Sequence, residues 1–191
     1  MIILPLRHPV RIAVLVYFAL LVPPLRHLLE SSMTTQMLLQ IPLLIGVGFL
    51  LPQALPARLL DIVSECNHQG IAGLLLASVA SAFWMLPLEL DASVADPLIA
   101  AAKYLSVPLL IGLPLALSWP RMGFIVKGVF LLELTATFFR LGWLYLIWPG
   151  RLCNNYLLDD QQRLGQYMLW IGGALLLGIT AKLIWGRFDP E

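Results

Sequence analysis

Charged residues are scarce in this chain of 191 residues. Asp, Glu, Lys and Arg together make up 12% of the sequence, whereas hydrophobic residues make up 60%. A soluble domain contains about a quarter charged residues, because polar groups have to cover its surface. The composition therefore excludes an ordinary soluble globule and predicts a protein whose main solvent is lipid. A net charge of +1 without a basic run gives no indication of nucleic-acid binding.

Residues that bind metals or carry out catalysis are also scarce. The three histidines, His8, His27 and His68, lie near three different connectors, so no mid-span pair could hold a haem between two helices. The sequence has no phosphate-binding glycine loop, no dinucleotide fingerprint, and no HExxH, CxxC or GxSxG motif. Because no nucleophile–base or acid–base set can be assembled from these residues, we expect a protein that is not an enzyme.

Long hydrophobic runs, in contrast, are abundant. Six stretches are long enough for a spanning helix, which needs about 20 mostly apolar residues. The predicted fold class is all-α, a polytopic transmembrane helical bundle in which residues 1–191 form a single domain. The predicted spans are about 9–25, 36–55, 70–88, 98–118, 122–148 and 164–186. Prolines inside several of these spans predict kinks.

The distribution of basic residues predicts the orientation. With a cytoplasmic N-terminus, seven of them lie inside: Arg7, Arg11, Arg58, Arg121, Lys127, Lys182 and Arg187. Three lie outside: Arg26, Arg151 and Arg163. This bias predicts a multi-pass protein of the inner (cytoplasmic) membrane with both termini in the cytoplasm. It also places Cys66 on an inner connector and Cys153 on an outer one, so that no disulfide joins them.

Sulphur-containing side chains gather on the predicted outer side. Met33 and Met37 share a helix face at the start of the second span, Met85 ends the third span, and Cys153 lies in the last outer connector. Thioether and thiolate groups are the ligands that select Cu(I), so these four residues form a candidate copper site. The alternative is that methionine simply fills irregular helix contacts.

Ionisable residues lie inside two predicted spans. Glu133 and Arg140 in the fifth span are seven residues apart, about two helical turns, and therefore face the same way with Thr137 between them. A charge at membrane depth is costly unless it is paired or hydrated, so the two are candidates for a proton or ion path. The alternative is a structural pair that locks the bundle or contacts a partner subunit. Lys103 lies near the outer end of the fourth span, where we expect it to snorkel to the surface.

Three segments carry a family pattern. The first is FWMLP at 83–87, which contains Trp84 and Pro87 and is followed by an acidic connector and a span ending in ALSWP at 116–120. The second is DQQRLG at 160–165, which leads into MLWIG at 168–172 and contains Asp160, Gln161 and Gly165. The third is QMLLQIPLL at 36–44.

Together these segments resemble the CtaG family of multi-helix membrane proteins, which are linked to cytochrome c oxidase assembly with copper supply as their proposed role. The resemblance touches residues 33–175. The family is rich in histidine at the outer helix ends. This chain has Met85 at one such position, and Gln36, Met37 and Gln40 at others. Lys103 and Pro108 fall where a further histidine pair is expected. The family typically has seven spans, and six are predicted here.

The resemblance leaves two functions open. The chain could assist the assembly of cytochrome oxidase or another respiratory copper enzyme and handle Cu(I) at its outer face. Alternatively, it could be a non-catalytic structural subunit of a larger respiratory membrane complex that has lost metal binding. In both cases the expected partners are the lipid bilayer and other membrane subunits. Asp160 and Gln161 could bind a ligand or only cap the last helix.

Overall fold

Every regular element that the structure describes is helical. The structure is a computed structural model that describes residues 8–153 and 155–185. Its helices confirm the predicted all-α class and are apolar enough for a membrane protein. Arg7 and Arg187, which enter the orientation count, and residue 186 at the end of the sixth predicted span lie outside the described residues.

Nine helices follow one another along these residues. They are α1 (His8–Leu21), α2 (Pro23–Glu30), α3 (Met33–Ala54), α4 (Ala57–Cys66), α5 (Ile71–Trp84), α6 (Pro87–Ala95), α7 (Pro97–Arg121), α8 (Phe124–Ile147) and α9 (Leu158–Trp185). Two of them are continuous helices of mixed geometry. Helix α3 contains a π-helical turn at Gln36–Gln40, and α7 contains one at Val107–Gly112.

The six predicted spans are not confirmed as six. Among the described residues, α3, α7 and α9 are long and apolar enough to cross a membrane. The number rises to five if the bent pairs α1–α2 and α5–α6 each count as one span. Helix α8, which corresponds to the fifth predicted span, carries Lys127, Glu133 and Arg140 and is not among them.

Both bends occur where proline starts a new helix. Helix α2 begins with Pro23 and turns from α1 by 75°, and α6 begins with Pro87 and turns from α5 by 68°. Proline disfavours helical geometry in the residue before it, and Val22 and Leu86 are indeed extended. The first and third predicted spans therefore end in short helices that turn away from the bundle direction.

Two prolines inside α3 and α7 lie in or beside the π-helical turns. Pro42 comes two residues after the first such turn, and Pro108 lies within the second. A proline ring has no N–H and clashes with the carbonyl of the preceding turn, which favours a locally wider helix. The helices are thus widened near Pro42 and Pro108, whereas Pro52 lies in the 3-10 turn that ends α3.

The centre of the molecule is a close crossing of α3 and α7 at two glycines. A Cβ atom on Gly48 would collide with the backbone of Pro108, and one on Gly112 would collide with the backbone at Ile45. The two backbones therefore touch without side chains between them, as small residues allow in membrane helices. Helix α1 packs against α3, and α5 packs against α7.

Helices α8 and α9 form an antiparallel hairpin. A Cβ atom on Gly165 would lie 2.8 Å from the carbonyl oxygen of Gly142, and the reverse distance is 2.9 Å. Gly165, one of the residues carried by the family pattern, is therefore needed where the two backbones meet. The hairpin joins the rest of the bundle where α9 packs against the first turn of α3.

Candidate functional site

Hydrogen bonds hold the three predicted outer connectors together at one end of the bundle. The hydroxyl of Tyr156 lies 3.0 Å from the carbonyl oxygen of Glu30. The backbone N–H of Asn155 donates to a carboxylate oxygen of Asp91 at 2.9 Å. Residues from 26–35, 89–97 and 149–163, the connectors that six alternating spans would place on the outer side, therefore meet in space. The candidate site is the buried polar network that lies under these connectors.

Lys103 is at the centre of this network, and the expectation that it snorkels to the surface is wrong. Its ammonium group is 2.9 Å from a carboxylate oxygen of Glu30, and its side chain is 0% exposed. The 75° bend after α1 explains the difference, because it turns α2 and brings Glu30 to the outer end of α7. The ammonium group finds its counter-charge inside the protein and not at the membrane surface.

Two further side chains complete the coordination of this ion pair. The amide oxygen of Gln40 accepts from the Lys103 ammonium at 3.0 Å, and its nitrogen donates to the hydroxyl of Tyr104 at 2.8 Å. That hydroxyl in turn donates to the carbonyl oxygen of Leu20 at 3.1 Å. Arg26, which is 33% exposed, reaches the second carboxylate oxygen of Glu30 at 3.0 Å. The carboxylate of Glu30 therefore faces two cations, one buried and one partly exposed.

A second branch of the network runs through Tyr156 and Gln36. The Tyr156 hydroxyl lies 2.7 Å from the amide oxygen of Gln36, whose nitrogen donates to Ser93 at 3.2 Å. Ser93 donates to the carbonyl oxygen of Leu90 at 2.8 Å. Burial and the nearby negative charge of Glu30 raise the pKa of Tyr156, so its hydroxyl stays protonated and can donate.

Gln161 closes the loop between α8 and α9. Its amide oxygen accepts from the backbone N–H of Leu152 at 2.9 Å, and its nitrogen donates to the carbonyl oxygens of Tyr145 and Gly150 at 3.2 and 3.4 Å. This buried residue therefore satisfies backbone groups that the loop leaves unpaired. Asp160 lies in the first turn of α9, where an acid interacts favourably with the helix dipole.

The four candidate copper ligands all belong to the hydrophobic core, which extends through most of the bundle. Met33, Met37 and Cys153 are buried in the same cluster, and Met85 packs against it. The sulphur of Met37 accepts from the Tyr145 hydroxyl at 3.7 Å. Burial and the charge of Asp91 raise the pKa of Cys153 to about 11, so its thiol is protonated at neutral pH.

This donor set fits Cu(I) only in part. Three thioethers and a thiol have the right chemistry for that ion. However, the Cys153 thiol already donates to the carbonyl oxygen of Pro87 at 3.4 Å, and a metal would have to displace its proton. The described residues contain no group of three or more His, Cys, Asp or Glu side chains that could hold a metal ion.

Of the positions at which the resemblance implies histidines, Gln40 and Lys103 do not fit a metal. The two side chains do meet, but an ammonium group already supplies the positive charge between Gln40 and Glu30. A second cation at this place would be repelled by Lys103. Trp84, a residue of the family pattern, links the end of α5 to α7. Its indole N–H donates to the hydroxyl of Ser106 at 2.8 Å.

Glu133 and Arg140 form an ion pair on the exposed face of helix α8. Their side chains are 62% and 64% exposed, and Arg140 also donates to Thr137 at 3.1 Å. Exposed hydrophobic side chains continue the same face along the helix. They are Val129, Leu132, Trp143, Leu144 and Ile147. Together with Glu133 and Arg140 we call these residues the α8 stripe.

No family model, curated protein or solved structure matches the chain. The resemblance to the CtaG family therefore rests on the quoted segments alone.

Proposed function

We propose that this chain is a multi-pass membrane protein that acts by binding another membrane protein through the α8 stripe. The observation that carries the proposal is the exposed Glu133–Arg140 pair in the middle of an apolar helix face. Charges that face hydrocarbon cost several kcal/mol, so residues of this kind normally face protein or water. A partner helix that covers the stripe would remove the pair from lipid and would use its remaining hydrogen-bonding capacity.

That remaining capacity indicates the chemistry of the partner. One oxygen of Glu133 and one terminal nitrogen of Arg140 satisfy each other, whereas the second oxygen of Glu133 has no hydrogen bond within the described chain. The Nε and second terminal nitrogen of Arg140 are also without an acceptor there. A complementary helix would offer a donor and an acceptor at one level, as Asn, Gln or a second ion pair does.

The resemblance supplies the class of partner. On that basis the partner is a subunit of a respiratory complex, above all cytochrome oxidase, in the inner membrane. The chain would have six spans and both termini in the cytoplasm, with the polar network on the outer side. It would act either transiently, as an assembly factor, or permanently, as a structural subunit.

Purification from native membranes in mild detergent tests this proposal. Replacing both charges (Glu133→Leu with Arg140→Leu) should remove the co-purifying partner and leave the chain folded, because both side chains are largely exposed and bond each other and Thr137 of the same helix. Lys182→Leu, which removes a charge outside the stripe, should keep the partner. If the double variant retains the same partners in the same ratio, the proposal is wrong. A fixed one-to-one ratio would indicate a subunit, and a substoichiometric ratio an assembly factor.

Copper handling is the second candidate function. What favours it is the presence of Met33, Met37, Met85 and Cys153 in the hydrophobic core cluster, with no group of three or more His, Cys, Asp or Glu ligands among the described residues. Near-stoichiometric Cu(I) in protein purified under reducing, oxygen-free conditions would support it. The copper content should then fall when Met33 and Met85 are replaced by leucine. Met122→Leu is the matched control, because this methionine is also buried but lies next to Gly70, outside the cluster. Absence of copper from the wild-type protein would eliminate this candidate.

A further inference from the structure

Helix α4 is amphipathic, and it lies where the sequence predicts only an inner connector. With 100° between successive residues, Leu59, Ile62, Val63 and Cys66 fall on one side of the helix. Arg58, Asp61 and Glu65 fall on a second side, whose centre is about 120° around the helix from the first. We call these two sides the apolar and the polar stripe of α4.

The apolar stripe is not covered by the rest of the described chain. Leu59, Ile62 and Val63 are 47%, 59% and 37% exposed, and Cys66 is exposed as well. Of the apolar residues in α4 only Leu60 is partly buried. A helix of ten residues is too short to be stable in water by itself, so its helical form requires a surface that receives this stripe.

The position of α4 in the chain identifies that surface. Two residues separate it from the end of α3, a candidate span, and four residues separate it from the start of α5. Both ends of α4 are thus tied to helices that enter the membrane from the same side. An amphipathic helix held at this place meets the boundary between the lipid headgroups and the acyl chains, which accepts apolar side chains on one face and charged ones on the other.

We propose that α4 lies in the plane of the membrane, with its apolar stripe inserted into the headgroup–acyl boundary of the bilayer that the chain spans. The charges of the polar stripe determine the kind of lipid contact. One cation and two anions give this stripe no attraction for anionic headgroups, in contrast to membrane helices that are rich in Lys and Arg. Insertion therefore depends on apolar burial, and the bilayer can be zwitterionic.

Cys66 provides a native probe for the experiment. It lies in the middle of the apolar stripe and is exposed, whereas Cys153 is buried, so an environment-sensitive fluorophore attaches to Cys66. The full chain is labelled and reconstituted into phosphatidylcholine vesicles at a low protein-to-lipid ratio. The matched control is Glu65→Cys with Cys66→Ser, which moves the label to the middle of the polar stripe. Cys66→Ser alone reports any labelling of Cys153.

The two labels should respond to opposite quenchers. At position 66, lipids with a nitroxide shallow in the acyl chain should quench several-fold more strongly than at position 65, and iodide should quench more weakly. Addition of phosphatidylserine should change neither result. Ile62→Glu, which places a charge in the apolar stripe, should reduce lipid quenching at Cys66.

Three results would overturn the proposal. Equal access of iodide to positions 65 and 66 would mean that α4 is in water. Shielding of Cys66 that develops only at a high protein-to-lipid ratio would mean that a second copy of the chain covers the stripe. Lipid quenching that requires phosphatidylserine would mean that charge, and not apolar insertion, holds the helix.

Discussion

Glu30 accepts hydrogen bonds from three side chains that come from different parts of the sequence. Lys103, Arg26 and Gln40 all donate to its carboxylate at 2.9 to 3.3 Å. With Lys103 completely buried, the loss of either member of the central pair leaves a charge in the protein interior without its counter-charge. Breaking such a pair is more damaging than replacing both members by neutral groups.

We therefore expect Lys103→Met to lower the free energy of unfolding by about 3–5 kcal/mol. The reason is that Glu30 would keep its burial and lose the ammonium group that balances it. The double variant with Glu30→Gln should recover most of the loss. Equilibrium unfolding in mixed detergent micelles measures these differences.

The exposed pair on α8 serves as the comparison. In detergent, replacing both charges together (Glu133→Leu with Arg140→Leu) should not lower the free energy of unfolding, because the pair lies on the exposed face of α8 and no charge is left unpaired in the apolar medium. A loss for this double variant as large as that for Lys103→Met would contradict the central position given to the Lys103–Glu30 pair.

The partner of Lys103 could not be identified from its own neighbourhood in the sequence. Snorkelling was expected from its distance to the span end, and that distance alone says nothing about an acid 73 residues earlier. Pairing depends on a 75° bend between α1 and α2, and the proline pair at 23–24 indicates a break but no angle. The Glu133–Arg140 pair was easier to predict, because both residues lie on one helix at a fixed spacing.

The raised pKa values of Cys153 and Tyr156 predict a loss of stability at alkaline pH. Burial raises the pKa of Cys153 from 9.0 to about 11, and it also raises the pKa of Tyr156. The folded state therefore holds protons that the unfolded state releases first. For Cys153, the stabilisation is fully present below about pH 9 and is lost as the pH rises towards 11. The free energy of unfolding should fall over this interval, and Cys153→Ala should make the decline shallower. An unchanged slope would show that the thiol does not contribute.

At the scale of single elements, the contact between α3 and α7 depends on the absence of side chains. Gly48 faces the backbone of Pro108, whereas Gly46, two residues earlier on the same helix, has open space around its Cβ position. The two glycines therefore test packing and helix propensity separately.

We expect Gly48→Ala to lower the free energy of unfolding by about 3 kcal/mol or more, because the added methyl group has to push two backbones apart. Gly46→Ala should be neutral or should increase it by up to about 1 kcal/mol, since alanine is the better helix former. Thermal unfolding of both variants in the same detergent makes the comparison. Similar stabilities for the two variants would contradict the close crossing.

The elements themselves were predictable to different degrees. Long apolar runs predicted α3 and α7 well, because length and hydropathy are enough to define a span. Helix α4 was missed, since a search for runs of 20 apolar residues passes over a ten-residue helix in which polar and apolar residues alternate with the helical period. The resemblance likewise directed attention to Gln161 without indicating that it pairs with backbone groups of its own loop.

At the scale of the whole molecule, six alternating spans placed three connectors on one side of the membrane, and residues of all three meet in the structure. The same alternation predicts that α4 is on the cytoplasmic side. The thiol that reports this is Glu65→Cys with Cys66→Ser, because Cys66 itself lies on the stripe that is proposed to enter the lipid. In intact cells a membrane-impermeant maleimide should leave position 65 unmodified, and it should react there in inverted membrane vesicles. Asp159→Cys with Cys66→Ser, which places the thiol at the exposed start of α9, should give the reverse pattern. Modification at position 65 in intact cells would reverse the orientation proposed for the chain.

The buried pair of Lys103 and Glu30 also bears on the order in which the protein is made. Translation proceeds from the N-terminus, so Glu30 has been synthesised long before Lys103, 73 residues later, leaves the ribosome. A lysine in an apolar segment opposes transfer into the lipid by about 2.5–3.5 kcal/mol at the helix centre. Because the Glu30 carboxylate is already present, it lowers this free-energy cost when the segment that contains Lys103 inserts. The first two helices would thus act as a template for the insertion of α7. Glu30→Gln would then slow the insertion of α7 during synthesis, before the helices pack.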